Sequence, residues 1–304
     1  MHSKLLLASL GFCFLSASAQ KQSDIAYAEP AFRSPVVAVE FTGQRCRYCP
    51  NLARALKDNE TRYGKENYII TALHSLEQFS SLPSQHISLY HPEAMLYAKS
   101  IDVHDGLPQL AYNTLGPTVS DVLLDDMFKE DDLLECTGKV TVNEKKEYVI
   151  DIQTRLRSNM KEVVAGKQID ILFWALENDI VALQDDNGRW TYPAHQHIFR
   201  GSINGTWGET FQPGTNYQSA WPIPASVSMV ENTEVIAFFL DHETRTILDA
   251  ARIQVTKGNA TGIGDVELTP HDIQKPIYDL SGRRVFSTEK GNIYIQNGKK
   301  FIAE

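Results

Sequence analysis

Cysteine is scarce, with four in 304 residues, at positions 13, 46, 49 and 136. So few exclude a small disulfide-stapled scaffold. With no second Cys or His pair at ligand spacing, they also argue against a structural zinc site. Positive charge is short as well: 29 Lys and Arg stand against 38 Asp and Glu, for a formal charge of −9, a balance poorly suited to gripping nucleic acid. Beyond the first twenty residues, no stretch offers the roughly 18 continuous apolar residues of a spanning helix. The nearest, IDILFWALENDIVAL, is interrupted by Glu177, Asn178 and Asp179. No internal repeat or low-complexity segment occurs, and 42% hydrophobic content suffices for ordinary buried cores.

What is present begins with a leader. MHSKLLLASLGFCFLSASAQ carries a basic Lys4, an apolar stretch from Leu5 to Leu15 and an Ala17-Ser18-Ala19 box, the pattern of a secretory signal peptide cut after Ala19. Cys13 follows the bulky Phe12, so a lipoprotein anchor is not expected. The chain beyond Ala19 loses Lys4 and has a balance of 28 minus 38, or −10. Export makes a disulfide chemically reasonable, and three remaining cysteines leave one thiol over.

Hydrophobic period divides the rest. After a polar lead-in over residues 20–34, PVVAVEFTG (35–43) reads as a buried strand. Leu52, Ala55, Leu56, Asn59 and Tyr63 then mark one helix face ending at Gly64, and NYIITALHS (67–75) is a second strand. The order is that of a βαβ unit with C-x-x-C at the strand-to-helix turn. An inserted helical region, including HPEAMLYAKSI, precedes a strand at GLPQLAYN (106–113), and a charged helical stretch, DVLLDDMFKEDDLLEC, is expected up to Cys136. From Gly138 the pattern becomes alternating strands, most simply an all-β sandwich. The predicted organisation is therefore an α/β region over residues 20–137, a β-sandwich over 138–257, a linker over 258–270 and a small β module over 271–304. Hairpin signals in the last module fall at Ser281-Gly282 and Asn297-Gly298.

The motif G-Q-R-C-R-Y-C-P admits a redox couple, a metal pair or a staple. A thiol-disulfide exchanger needs an exposed, low-pKa cysteine, which a helix N-terminus supplies through its N–H groups and dipole. Cys46 is placed for that role, with Arg45 and Arg47 beside it, and Cys49 would be the sheltered resolving thiol. Glu40, six residues before Cys46 in an apolar strand, is a candidate acceptor for the Cys49 proton; the plainer alternative is that it faces water.

These residues resemble the thioredoxin-like strand, C-x-x-C and helix, with an acidic residue six before the first cysteine. Gly106-Leu107-Pro108 is similar to the cis-proline turn of that fold. The resemblance implies that Pro108 opposes the disulfide and shapes the substrate groove and that Leu107 offers its backbone to a bound peptide; Arg45, Arg47 and Tyr48, around the pair, are expected to contact the substrate. Departures are Arg45 where thioredoxins carry tryptophan, Arg-Tyr between the cysteines, and the long insertion before Pro108. EFTGQRCRYCP, AHQHIFRGSINGTWGETF and TEVIAFFLDHETRTILDAA together resemble the outer membrane protein 28-related family of Bacteroidetes-type bacteria. That resemblance implies a thioredoxin-like half, a β-sandwich half and an outer-envelope or surface location, without a settled activity. The tail, IYDLSGRRVFSTEKGNIYIQNGKKFI, is similar to C-terminal sorting signals of the type IX secretion system, though shorter.

Two further features are weighed against simpler readings. His195 and His197, at i and i+2 on a strand, would share a face and could hold a metal given a third ligand; a structural pair is the simpler reading. Trp190, Tyr192, Phe199 and Trp207 could line a ligand face, but such aromatics are more often core. Cys136 is expected to be an inert buried thiol. The expected function is thiol-disulfide exchange with a protein thiol or disulfide, needing no cofactor. The alternative is a non-catalytic surface or binding protein whose disulfide is only a staple.

Overall fold

In the computed structural model, β1 (Val36–Thr42) is buried at every position, and its alternating side chains serve two different cores. Val37, Val39 and Phe41 join one cluster, and Val36 and Ala38 another. A strand covered on both faces needs an uninterrupted apolar run, which VVAVEFT supplies apart from Glu40. The residues described are 35–103, 106–116, 127 and 133–257, together with strand residues 277–278, 284–285, 293–296 and 299–302. The leader, and most of the charged stretch before Cys136, lie outside them.

Helix α1 (Cys49–Tyr63) follows, with Pro50 in its first turn and Gly64 at its C-terminal end at φ 89°, a conformation glycine adopts without strain. β2 (Tyr68–His74) returns parallel to β1, pairing Glu40 with Ala72 and Thr42 with His74. β3 (Gln109–Tyr112) adds antiparallel to the other edge of β1. The βαβ order read from the sequence is therefore present. Leu56 packs with Val36, Ala38, Tyr68 and Ile70, fixing α1 on one face; α3 (Ala94–Ser100) buries Ala94, Tyr97 and Ala98 on the other. A short α2 (Glu77–Ser80) lies between β2 and α3.

The later strands are β4 (Leu134–Val142), β5 (Glu147–Leu156), β6 (Ile169–Glu177), β7 (Ile180–Val181), β8 (Gln184–Asp186), β9 (Arg189–Thr191), β10 (Ala194–His195), β11 (Ile198–Ser202), β12 (Glu209–Phe211), β13 (Tyr217–Pro222), β14 (Thr233–Asp241) and β15 (Ile247–Lys257). Ten of the strands follow one mixed path, β13-β5-β4-β15-β14-β6-β11-β2-β1-β3, with β12 paired to β6. The junction is at β11, where Ile198 pairs parallel with Ala72 of β2 while the strand runs antiparallel to β6. β6 and β14 are buried throughout. Leu172, Trp174, Leu176, Ile236 and Phe238 enter the core shared with α3, while Ile171, Phe173, Val235 and Phe239 pack with Val140, Ile150 and Ile152 of β4 and β5. β15 changes partners along its length, pairing with β14 up to Gln254 and with β4 from Val255.

Two sequence expectations meet a different geometry. Leu134, Glu135 and Cys136, expected to end a helix, begin β4, because Leu134 is held in sheet register with Leu156 and its N–H donates to Asp249. The expected boundary between residues 137 and 138 lies inside β4, and hydrogen bonding joins strands from both sides of it. Met1–Gly258 forms one compact unit and Asn259–Glu304 a second. In the second, β16 (Ile277–Tyr278), β17 (Arg284–Val285), β18 (Ile293–Gln296) and β19 (Lys299–Ile302) make a four-stranded sheet, β18 pairing antiparallel with β19, Ile293 opposite Ile302 and Gln296 opposite Lys299; the expected turn residues Asn297-Gly298 and Ser281-Gly282 lie outside the described residues.

Candidate functional site

Alternation along β1 decides what lies beneath the cysteines. Glu40 and Thr42 share the parity of Val36 and Ala38, so they face α1, as do Ile70, Ala72 and His74 of β2. Cys46 and Cys49 are disulfide-bonded, with Cα atoms 5.4 Å apart. α1 starts at Cys49, and Cys46 sits in the turn before it, its N–H donating to Gly43 O at 3.1 Å. Arg45, Arg47 and Tyr48 are exposed as expected of a surface around the pair, whereas Cys46 itself is only 4% exposed and Cys49 1%.

The cover over Cys46 is the β8–β9 hairpin, which the sequence reading did not foresee. Gln184, itself buried, donates through Nε2 to Gly43 O at 3.3 Å and Cys46 O at 3.2 Å. The Asp185 N–H donates to Gln44 O at 2.8 Å and the Asn187 N–H to Arg47 O at 2.9 Å. Outside these, Arg54 of α1 pairs with Asp186 at 3.1 Å. Gln44 completes the anchoring from beneath: its amide donates to Ile87 O and Leu183 O and accepts from the Leu89 N–H. A Cβ on Gly43 would lie 2.7 Å from Phe79 O, so only glycine lets the loop approach α2 this closely.

Behind the disulfide is a cavity of about 310 Å³. Its floor is Glu40, Thr42, Ile70, Ala72, His74 and Ile198, its roof Cys49, Pro50, Ala53, Arg54 and Lys57 of α1, and its wall Gln184 and the segment 193–197. Glu40 is buried, and its Oε1 has no hydrogen-bond partner among the described residues. Burial raises its pKa to about 7, outweighing the Thr42 hydrogen bond that lowers it. His74 is held well below the usual imidazole range by burial and by the nearby His195 and Arg200 charges; His195 is lowered by burial.

His195 and His197 do not share a strand face: His197 has φ 56°, which breaks the chain between β10 and β11. His195 Nε2 lies 3.3 Å from Ala182 O. His197 enters a buried network, Nδ1 at 3.0 Å from Glu234 and Nε2 at 3.4 Å from Glu60 of α1. Arg252 of β15 closes the ring, at 2.5 Å from Glu234 and 3.5 Å from Glu60. Burial works against the Glu234 charge, but His197 and Arg252 hold its pKa at about 2. α1 is thus tied to the sheet by charges as well as by Leu56. Glu60 sits one residue beyond the Asn59 position of the apolar face read from the sequence, whereas Ala55, part of that face, is exposed.

Leu107–Pro108 is a cis peptide. Gln109 pairs with Phe41, so Pro108 lies at the end of β1 from which the cysteine loop departs. Leu107 packs partly buried against the core that contains Phe41. Of the aromatics, Phe199 is core and Trp207 meets Tyr97 edge to face at 5.3 Å between ring centroids, while Trp190 and Tyr192 are exposed on and beside the hairpin. Cys136 lies apart from the pair, in β4, and burial, with Asp249 adding, pushes its thiol up to about 12.

No family model and no curated protein matches the chain. Among solved structures, HBP35 of Porphyromonas gingivalis aligns with a TM-score of 0.57 at 16% identity, covering 90% of this chain and 98% of that one. The overall fold is therefore shared with that protein. A domain of the outer membrane lipoprotein Omp28 from Porphyromonas gingivalis aligns over 41% of this chain and 90% of its own, at 17% identity and a TM-score of 0.29.

Proposed function

We propose that this is an exported protein of the outer envelope or cell surface that exchanges thiols and disulfides through Cys46 and Cys49, on a thioredoxin-like region joined to a β-sandwich. The observation that carries the reading is Glu40: a buried carboxyl with a free oxygen, in the same cavity as Cys49 and titrating near neutrality. A group that holds its proton about half the time at pH 7 suits a general acid and base for the resolving thiol. In this scheme Cys46 attacks, Cys49 resolves, Glu40 takes and returns the Cys49 proton, and Leu107-Pro108 with Arg45, Arg47 and Tyr48 forms the surface for a protein substrate. The hairpin bonds to the cysteine loop must open for such a substrate to reach Cys46. Membership of the outer membrane protein 28-related family and sorting by the residue 271–304 module belong to the same proposal. Among the described residues no helix is long and apolar enough to cross a membrane.

A second reading, a structural staple, is favoured by the near-complete burial of both cysteines. The two separate on redox poise. An exchange pair equilibrates with dithiol buffers above about −300 mV and the protein reduces insulin, activity that Cys46→Ser abolishes. A staple resists reduction to below about −300 mV and shows no such activity. Deletion of residues 271–304 tests sorting: the truncated chain is expected to stay in the periplasm, and surface delivery at the full-length level would refute it.

A further inference from the structure

The two faces of the disulfide are unlike. Toward Cys46 the hairpin satisfies the loop carbonyls of Gly43, Gln44 and Arg47 and closes that side. Toward Cys49 lies the cavity, bounded by α1 and the 193–197 segment. Its size falls at the small end of ligand pockets, too small for a peptide segment and large enough for a small molecule. Its polar lining is the Glu40 carboxyl, the Thr42 hydroxyl, the Gln184 amide and the His74 and His195 imidazoles; the cations at its roof are engaged, Arg54 with Asp186 and Lys57 with Glu60. The unpartnered Glu40 Oε1 is the group in this cavity that lacks a hydrogen-bonding donor. A thiol S–H supplies such a donor, and its sulfur is the atom that reacts with the disulfide.

We infer that the cavity is an entry site for a low-molecular-weight thiol, which reduces the pair by attacking Cys49 from behind. The inference rests on the exchange reading above and names the reductant class for it. In the first step the thiol gives its proton to the Glu40 carboxylate and its sulfur bonds to Cys49 Sγ. The Cys46–Cys49 bond breaks, and its electron pair leaves on Cys46. In the second step a second thiol, its proton released to water, attacks the mixed disulfide at the sulfur of the small molecule, releasing a small disulfide and the Cys49 thiolate, which takes the proton held by Glu40; Cys46 remains as the thiolate. Two thiols are oxidised to one disulfide and the protein pair is reduced. Cys46, the proposed attacking thiol, is thereby freed without a protein reductant passing the hairpin.

The test uses the full chain. Cys46→Ser and Cys49→Ser variants are treated with 2-hydroxyethyl disulfide, and mixed disulfides are located by peptide mass. Cys49 is expected to be modified about tenfold faster than Cys46, and a pyridyl disulfide carried on polyethylene glycol is expected to miss Cys49. Ala53→Trp, which fills the cavity from α1, should slow reduction of the otherwise intact pair by mercaptoethanol about tenfold. Equal or faster modification of Cys46, or an unchanged rate in Ala53→Trp, would overturn the entry site while leaving the exchange reading standing. A pair that neither small thiols nor protein dithiols reduce would overturn both.

Discussion

Glu40→Gln is expected to remove a pH dependence of stability that the wild-type chain carries. The folded carboxyl titrates at about 7 against 4.5 for the free group, because burial disfavours its charged form. The sign follows from proton binding: between these values the folded state holds the proton that the unfolded state has released, so stability falls as pH rises. With those two pKa values the loss between pH 5 and pH 8 is about 2.5 kcal/mol, most of it between pH 5 and pH 7. Gln is nearly isosteric, keeps an oxygen for Thr42 and carries no charge at any pH. Chemical denaturation of the oxidised wild type and of Glu40→Gln across that range measures the difference directly. Other titrating groups contribute equally to both proteins and cancel. The variant should be close to wild type at pH 5 and more stable than it by about 2–3 kcal/mol at pH 8. A stability difference that does not change with pH would mean that water or a neighbouring donor satisfies the carboxylate. The Glu40 argument for proton transfer would then lose its basis.

Arg252→Met leaves Glu60 and Glu234 facing each other in a buried site without their shared cation, so a loss of about 3–5 kcal/mol is expected by denaturant titration; a loss under about 1 kcal/mol would show that water compensates them. Gly43→Ala places a methyl against the Phe79 backbone and should cost about 1–3 kcal/mol, with faster tryptic cleavage after Arg45 or Arg47; unchanged cleavage would count against a tightly held loop. Gln184→Ala withdraws the side-chain donor from Gly43 O and Cys46 O and should cost about 1–3 kcal/mol while speeding reduction of the disulfide by a protein dithiol. The same rate as wild type would mean that the hairpin does not limit access.

The parts of this molecule that were legible in the sequence are those whose signal is local. VVAVEFT and NYIITALHS announce buried strands by composition, Pro50 and Gly64 bracket α1, and an acidic residue inside an apolar strand marks Glu40. The hairpin cover was not legible, because Gln184, Asp185 and Asn187 act through backbone and amide contacts with residues some 140 positions away, and no period reports such a pairing. The Glu60–His197–Glu234–Arg252 ring was hidden for the same reason: each member looks like a surface charge on its own element. The shared sheet was missed because a change from mixed to alternating pattern at Gly138 suggests a boundary, while the regions are joined by short long-range pairings, the parallel bridge from Ile198 to Ala72 and the bridge from Thr114 to Thr246, that no local pattern reports.

The chain distance between the cysteine pair and its cover sets an order of events in the making of the protein. Gln184 stands 138 residues after Cys46, and β11, which completes the sheet beside β2, comes later still. A chain delivered N-terminus first presents both thiols to its surroundings long before the segment that shelters them arrives. An oxidant present at that stage can therefore reach Cys46 and Cys49 in an open, unfinished chain, before their cover is in place. Forming the bond then needs no movement of the hairpin, whereas any exchange at Cys46 in the finished fold requires the hairpin to open.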